Sequence, residues 1–166
     1  MKLYRSELDK GLSKKLFDID TNQFNSDELK FFKNTAKCEL SAERSSNGYH
    51  ISGIIKIPFK QTCDKCLSNF HDLRTAELNF WLTDYDELLQ DDSDDVFHFS
   101  EDDNEIDLNP LIQEFIFLEK PMKSICSKDC KGLCLNCGTN LNEGNCGCSI
   151  ESKDNPWEAL KNLKGN

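Results

Sequence analysis

From Cys38 onward the chain alternates apolar and polar positions with the period of a β-strand. Tyr49, Ile51, Gly53, Ile55 and Ile57 fall on one side, and His50, Ser52, Ile54 and Lys56 on the other. Successive strand side chains point to opposite faces, so the run predicts a strand with one face buried. Pro58 has no amide hydrogen to give a ladder and is expected to end it. The run before it, "KCELSAER", is joined to it by "SSNG", a hairpin turn signal. After "CDKC", Ala76, Leu78, Phe80 and Leu82 share one face, with Glu77 and Asn79 on the other. "VFHFS" adds a short strand further on.

Helical spacing is rarer. "NSDELKFFKN" predicts a short helix capped by Ser26. A second helix is predicted over 109–118, with Asn109 as its cap and Pro110 at its first position. Leu108, Leu111, Ile112, Phe115 and Leu118 then form its apolar face, and Pro121 stops the element. "DNPWEALKNL" predicts a closing helical turn or two. The first 35 residues carry a weak pattern, of which "KLYRSEL" reads as a strand.

Charge changes this picture locally. The net charge is −10, from 30 acids against 20 bases. Twelve of the acids lie between Asp84 and Asp107, a stretch without Lys or Arg, so the rest of the chain has 18 acids against its 20 bases. So many carboxylates cannot be buried together, and 84–107 is expected to be a solvated loop, mobile from about Asp86 to Asp103 apart from an anchor at Val96 to Phe99. Apolar runs are too short to span a membrane. The opening "MKLYRSELDKG" lacks the apolar core of a signal peptide, so a cytoplasmic location is expected.

In a reducing compartment thiols point to metal rather than to disulfides. Six of the nine cysteines fall between Cys126 and Cys148. Zinc takes four thiolates in a tetrahedron, and two cysteines separated by two residues can meet one ion. Cys134 and Cys137 form such a pair, followed by Gly138, which lets the backbone curl. Cys146 and Cys148 form a tighter pair across Gly147. These four make a first candidate zinc site. Cys63 and Cys66 with Cys126 and Cys130 make a second, and Cys38 is left as a buried thiol. One ion held by another four of the tail cysteines is the alternative, as is an ordinary turn at Cys63 and Cys66. The chain contains no Gly-rich phosphate loop, HExxH or GxSxG, and a four-thiolate zinc has no open position for water. Catalysis is therefore not expected.

The sum is an α+β fold: a mainly antiparallel sheet, open or barrel-like, with a few helices and a C-terminal zinc-stapled tail. Its expected parts are an N-terminal segment (1–36) packing on a β-rich core (37–122) and a cysteine-rich tail (123–166).

Taken in order, "CDKCLSNF", the acid stretch, "EIDLNPLIQEFIFLEKPM", "CSKDCKGLCLNCGTNLNEGNCGC" and "DNPWEALKNL" resemble the YceD family of large ribosomal RNA subunit accumulation proteins, over residues 37 to 163. The resemblance implies a non-catalytic role in large-subunit ribosomal RNA accumulation or processing, in bacteria or chloroplasts. Its carry-over is firmest at Cys63, Cys66 and Cys126, with Cys134 to Cys148 as an accessory module, because some members lack those cysteines. Trp157 departs from it, standing where the closing motif often has Arg. Two modes of action follow. One is an adaptor in ribosome assembly that binds a basic ribosomal protein, an rRNA-processing factor or a precursor particle, with the acid loop holding a basic tail. The other is a zinc protein that binds precursor large-subunit RNA directly through Lys120, Lys123, Lys128 and Lys131. A zinc- or redox-responsive regulator is a third class. Membrane and DNA are not expected partners.

Overall fold

The alternating run that starts at Gly48 is the central strand of a five-stranded sheet. The computed structural model describes residues 1–24, 26–85 and 95–148. In chain order the elements are β1 (Lys2–Tyr4), α1 (Arg5–Leu8), β2 (Leu12–Asp20), a 3-10 turn (Thr21–Phe24), β3 (Thr35–Ser45) and β4 (Gly48–Thr62). They continue with β5 (Asn69–Thr83), β6 (Val96–His98), β7 (Glu105–Asp107) and α2 (Asn109–Glu119). The sheet order is β2-β3-β4-β5-β6, and β1 pairs with β7 as a separate ribbon. All neighbours are antiparallel except β5 and β6.

Register turns the sequence pattern into a core. Cys38 faces Ile55, which faces Ala76, and Ile51 faces Phe80. One side of three strands therefore presents contiguous rows of apolar residues. Leu40, Ile51, Ile55, Ile57, Leu78, Phe80 and Leu82 are each at most 2% exposed. Leu3 and Leu8 join the same cluster, as do Leu108, Ile112 and Ile116, so the N-terminal elements and α2 lie over that face. The opposite face stays polar, with Lys56, Glu77 and Asn79 exposed and Glu39 half-buried.

The sheet is open, not a barrel. Closure needs paired first and last strands with a consistent stagger. Here β6 has only three residues, and β2 carries an irregularity between Leu12 and Lys15. Lys14 sits there at φ +48°, with its amide donating to Ser41 Oγ at 3.1 Å. Such a bulge with lysines discourages further pairing at an edge.

Pro58 does not end β4, which runs on to Thr62. A strand residue directs its N–H and C=O to the same edge, and the Pro58 carbonyl accepts the Phe32 amide at 3.0 Å. The missing N–H thus faces away from β5, where the proline still pairs opposite Leu73. The predicted helix after Ser26 is absent. Ser26 Oγ does accept the Leu29 amide at 3.0 Å, but Ser26 N–H donates back to Leu29 O and closes a turn. Phe31 then bridges Phe59, with stacked rings 5.8 Å apart. Burial of Leu29 and pairing along β4 outweigh the local helical preference.

Helix α2 forms as predicted, though its details differ. Asn109 lies inside it, with its side chain taken by the N-terminal amino group, and Asp107 Oδ1 accepts the Asn109 amide at 3.0 Å. Leu118 is 79% exposed and Ile116 fully buried. At about 100° per residue, Leu118 lies about 120° from Ile112, beyond the covered stripe. Part of the acid stretch is structured. Phe99 is buried and Asp103 closes a turn onto Ser100, while residues 86–94 lie outside the described residues, as does the predicted closing helix at 154–163. No helix among the described residues is long and apolar enough to cross a membrane.

Candidate metal centres

Two turns of the same design carry the Cys-x-x-Cys pairs. In the first, between β4 and β5, the Cys63 amide donates to Ser68 O at 2.9 Å and the Leu67 amide to Cys63 O at 2.9 Å. In the second, the Cys134 amide donates to Thr139 O at 2.8 Å and the Gly138 amide to Cys134 O at 2.9 Å. The fifth residue of each turn is left-handed, Leu67 at φ +58° and Gly138 at φ +73°. This curl directs the intervening amides at the sulfurs. Glycine adopts that conformation without strain, and leucine does not.

The chain after α2 returns to the first turn. Ser124 and Asp64 exchange two hydrogen bonds, Asp64 N–H to Ser124 O at 2.8 Å and Ser124 N–H to Asp64 Oδ2 at 2.6 Å. This brings the Cys126 amide within 3.4 Å of Cys63 Sγ. The sulfurs of Cys63 and Cys130 are 3.8 Å apart, and those of Cys66 and Cys126 are 3.7 Å apart. A tetrahedral ion with Zn–S bonds of about 2.3 Å requires sulfur separations of about 3.8 Å. All four sulfurs lie within 4.8 Å of one another, and so do those of Cys134, Cys137, Cys146 and Cys148. Both predicted groupings are thus assembled, and each fits one tetrahedral ion. Cys38 stays apart in β3, fully buried, and burial pushes its thiol up to about 12.

The two groups differ in burial. Cys63, Cys66 and Cys130 are at most 6% exposed, whereas Cys137 is on the surface. Protons are unevenly held within each. Burial opposes the Cys63 thiolate, but the amides of Cys126, Cys66 and Lys65 outweigh it and bring the thiol down to about 6. Cys137, beside the Thr139 hydroxyl and amide, is likewise lowered to about 6. Cys126 is pushed up to about 12 by its contact with Cys130 and by burial, and Cys148 to about 12 by its contacts with Cys137 and Cys146. Each group therefore combines thiols that ionise readily with thiols that need a cation to do so.

The groups are also joined. Leu133 N–H donates to Lys65 O at 3.0 Å, and Asn140 Nδ2 to Ser68 Oγ at 3.2 Å. Gly132, at φ +76°, lies so close to Lys65 that an added Cβ would be 3.1 Å from its carbonyl oxygen. Asn142, in the loop of the outer group, donates from Nδ2 to Cys130 Sγ of the inner group at 3.4 Å. Its Oδ1 accepts the Lys131 amide at 2.9 Å, which fixes the orientation. No spacing or motif in the sequence points to this link. Removing a hydrogen bond to a ligand commonly costs 10–100-fold in metal affinity. Asn142→Ala is expected to weaken metal binding by the inner group about tenfold. Competition against a chromophoric chelator reads this, and unchanged affinity for every bound ion would remove the linking role.

These features can be set beside known proteins. The family described as "Large ribosomal RNA subunit accumulation protein YceD" matches residues 51–164. The chain is 31% identical over 147 residues to the chloroplastic large ribosomal RNA subunit accumulation protein YCED homolog 1 of Arabidopsis thaliana, covering 73% of this chain and 46% of that protein. Its Zea mays counterpart is 43% identical over 75 residues, 45% of this chain and 24% of that protein. An uncharacterized protein of Mycobacterium leprae is 30% identical over 105 residues, 62% of this chain and 48% of that protein. The chain thus spans less than half the length of each of these relatives. No solved structure matches it. With the family match covering both thiol groups and most of the sheet, the chain belongs to the YceD family of large ribosomal RNA subunit accumulation proteins.

Proposed function

We propose that this protein is a non-catalytic factor in large-subunit ribosomal RNA accumulation, acting in the cytoplasm as a protein adaptor in ribosome assembly, with one zinc ion in each thiol group. The observation that carries this reading is the pair of interlocked four-thiol groups at one end of the sheet. Four thiolates fill a zinc ion's coordination shell, so such ions build structure rather than activate water. What they build is a stiff platform of two turns. The names of the plant relatives supply the process. The charge map supplies the mode. The chain is nearly neutral outside 84–107, and an acidic surface repels RNA and attracts a basic protein.

The rival reading, direct RNA binding, is favoured by the exposed Lys120, Lys123, Lys128 and Lys131 near the inner group. Two measurements separate them. Deleting the gene should lower large-subunit relative to small-subunit ribosomal RNA, and an unchanged ratio removes the process. Protein capture by the tagged chain should survive ribonuclease. Capture that vanishes with the RNA selects the rival.

A further inference from the structure

A groove of about 690 Å³ runs between β6 and α2. Phe97, Leu111 and Phe115 line its inner part. Phe117 and Leu118 lie at its lip, 50% and 79% exposed. Leaving two large apolar side chains in water beside an apolar recess is unfavourable unless something covers them. The polar rim consists of Asp95, Gln113 and Glu114. Both walls come from one stretch of chain. Between Arg74 and Lys120 there are 15 acids and no Lys or Arg. Among the described residues, the lining of the groove includes no positive side chain. A smaller recess that shares Phe97, Leu111 and Glu114 continues it towards Asp107, again without Lys or Arg among the described residues.

An apolar channel between carboxylates selects its occupant. RNA phosphates are repelled by the rim, and an acidic peptide is repelled equally. A basic segment with an apolar stripe satisfies both features: its stripe covers Phe117 and Leu118, and its Lys or Arg residues meet Asp95 and Glu114. We infer that this groove is the docking surface of the adaptor, and that it takes a basic amphipathic segment of a protein partner. This rests on the adaptor reading above and adds the surface and the chemistry of the partner.

The test uses the whole 166-residue chain, zinc-loaded, and a fluorescein-labelled 18-residue Lys/Leu amphipathic helix peptide, with a Glu/Leu peptide as control. Anisotropy at 0.15 M salt should show binding of the Lys peptide only. Phe117→Ser with Leu118→Ser should weaken it at least tenfold, and Glu114→Gln about threefold. These residues are exposed, and unchanged melting temperatures will show that the variants fold. Methyl NMR should map the peptide to Leu111 and Leu118. Unchanged affinity in the double Ser variant overturns the inference, because the acid stretch alone would then explain binding. So do competition by a single-stranded RNA oligonucleotide, self-association of the chain through Leu118, or a contact between the Trp157 indole and the groove methyls in the free protein. A fall in the ribosomal RNA ratio on deletion without groove binding defeats this inference alone. Groove binding with an unchanged ratio defeats the proposed process alone.

Discussion

If each thiol group holds one zinc ion, as proposed, Cys63→Ser is expected to release both, and Cys137→Ser only one. The asymmetry follows from which group supports the other. The inner group is anchored in the body of the fold: Cys63 and Cys66 sit in the β4–β5 turn, and Ser124 is bonded to Asp64 and Gln61. The outer group rests on that turn through Lys65 and Ser68 and reaches its thiols through Asn142. Without the inner ion, the segment from Cys126 to Leu133 loses the bonds that hold it against β4, and the outer group loses its support. Without Cys137, the Cys63–Ser68 turn and its sheet contacts remain. Elemental analysis of protein purified in reducing buffer should give about two zinc ions per chain for the wild type, near none for Cys63→Ser and about one for Cys137→Ser. Loss of one ion from each variant would show two independent sites.

The legible parts of this molecule were those where period or spacing has a single structural meaning. Alternation from Tyr49 to Ile57 and from Ala76 to Leu82 named the buried face correctly, because a strand offers only two faces. Thiol spacing pairs Cys63 with Cys66 and Cys134 with Cys137, because a two-residue gap has a short list of geometries, and the fold completes each pair with the candidate partners, Cys126 and Cys130 for the first and Cys146 and Cys148 for the second. Errors arose where a distant partner decided. Pro58 reads as a stop, and the strand continues because the proline's nitrogen faces the side where Phe32 approaches. Ser26 reads as a helix cap, and Phe31 pairing with Phe59 draws the chain out extended. Asn109 reads as a cap, and the chain's own amino group claims its side chain. Asn142 carries no local signal at all. "CDKCL" and "CLNCG" are the same turn, with leucine and glycine in the same left-handed position.

Arg5→Ala is expected to destabilise the protein by about 3 kcal/mol, from three hydrogen bonds at about 1 kcal/mol each, with a further fraction from the ring contact. Its guanidinium fork reaches three acceptors. Nε donates to Asp103 O at 2.8 Å, one terminal nitrogen to Tyr49 Oη at 3.1 Å, and the other to Ser100 O at 2.5 Å. It also lies 4.2 Å over the Phe99 ring. Tyr49 in turn donates to Asp9 Oδ1 at 2.8 Å, which ties α1 to β4. Arg5 is therefore the cation that fixes residues 99–104 of an otherwise acid-only stretch onto the sheet. For a chain of this size a loss of about 3 kcal/mol lowers the melting temperature by roughly 6–12 °C. Lysine keeps the charge but lacks the fork, so Arg5→Lys should recover about one third of the loss. Amide exchange at Phe99 and Asp103 should quicken, while that at Ile55, in the middle of β4, should change only with global stability. A melting temperature lowered by less than about 2 °C would show that the buried Phe99 alone holds the segment. The effect extends to the groove, because β6 supplies Phe97 and precedes the pinned segment directly. A chain that loses Arg5 should bind a basic amphipathic peptide less tightly without losing any side chain of the groove itself.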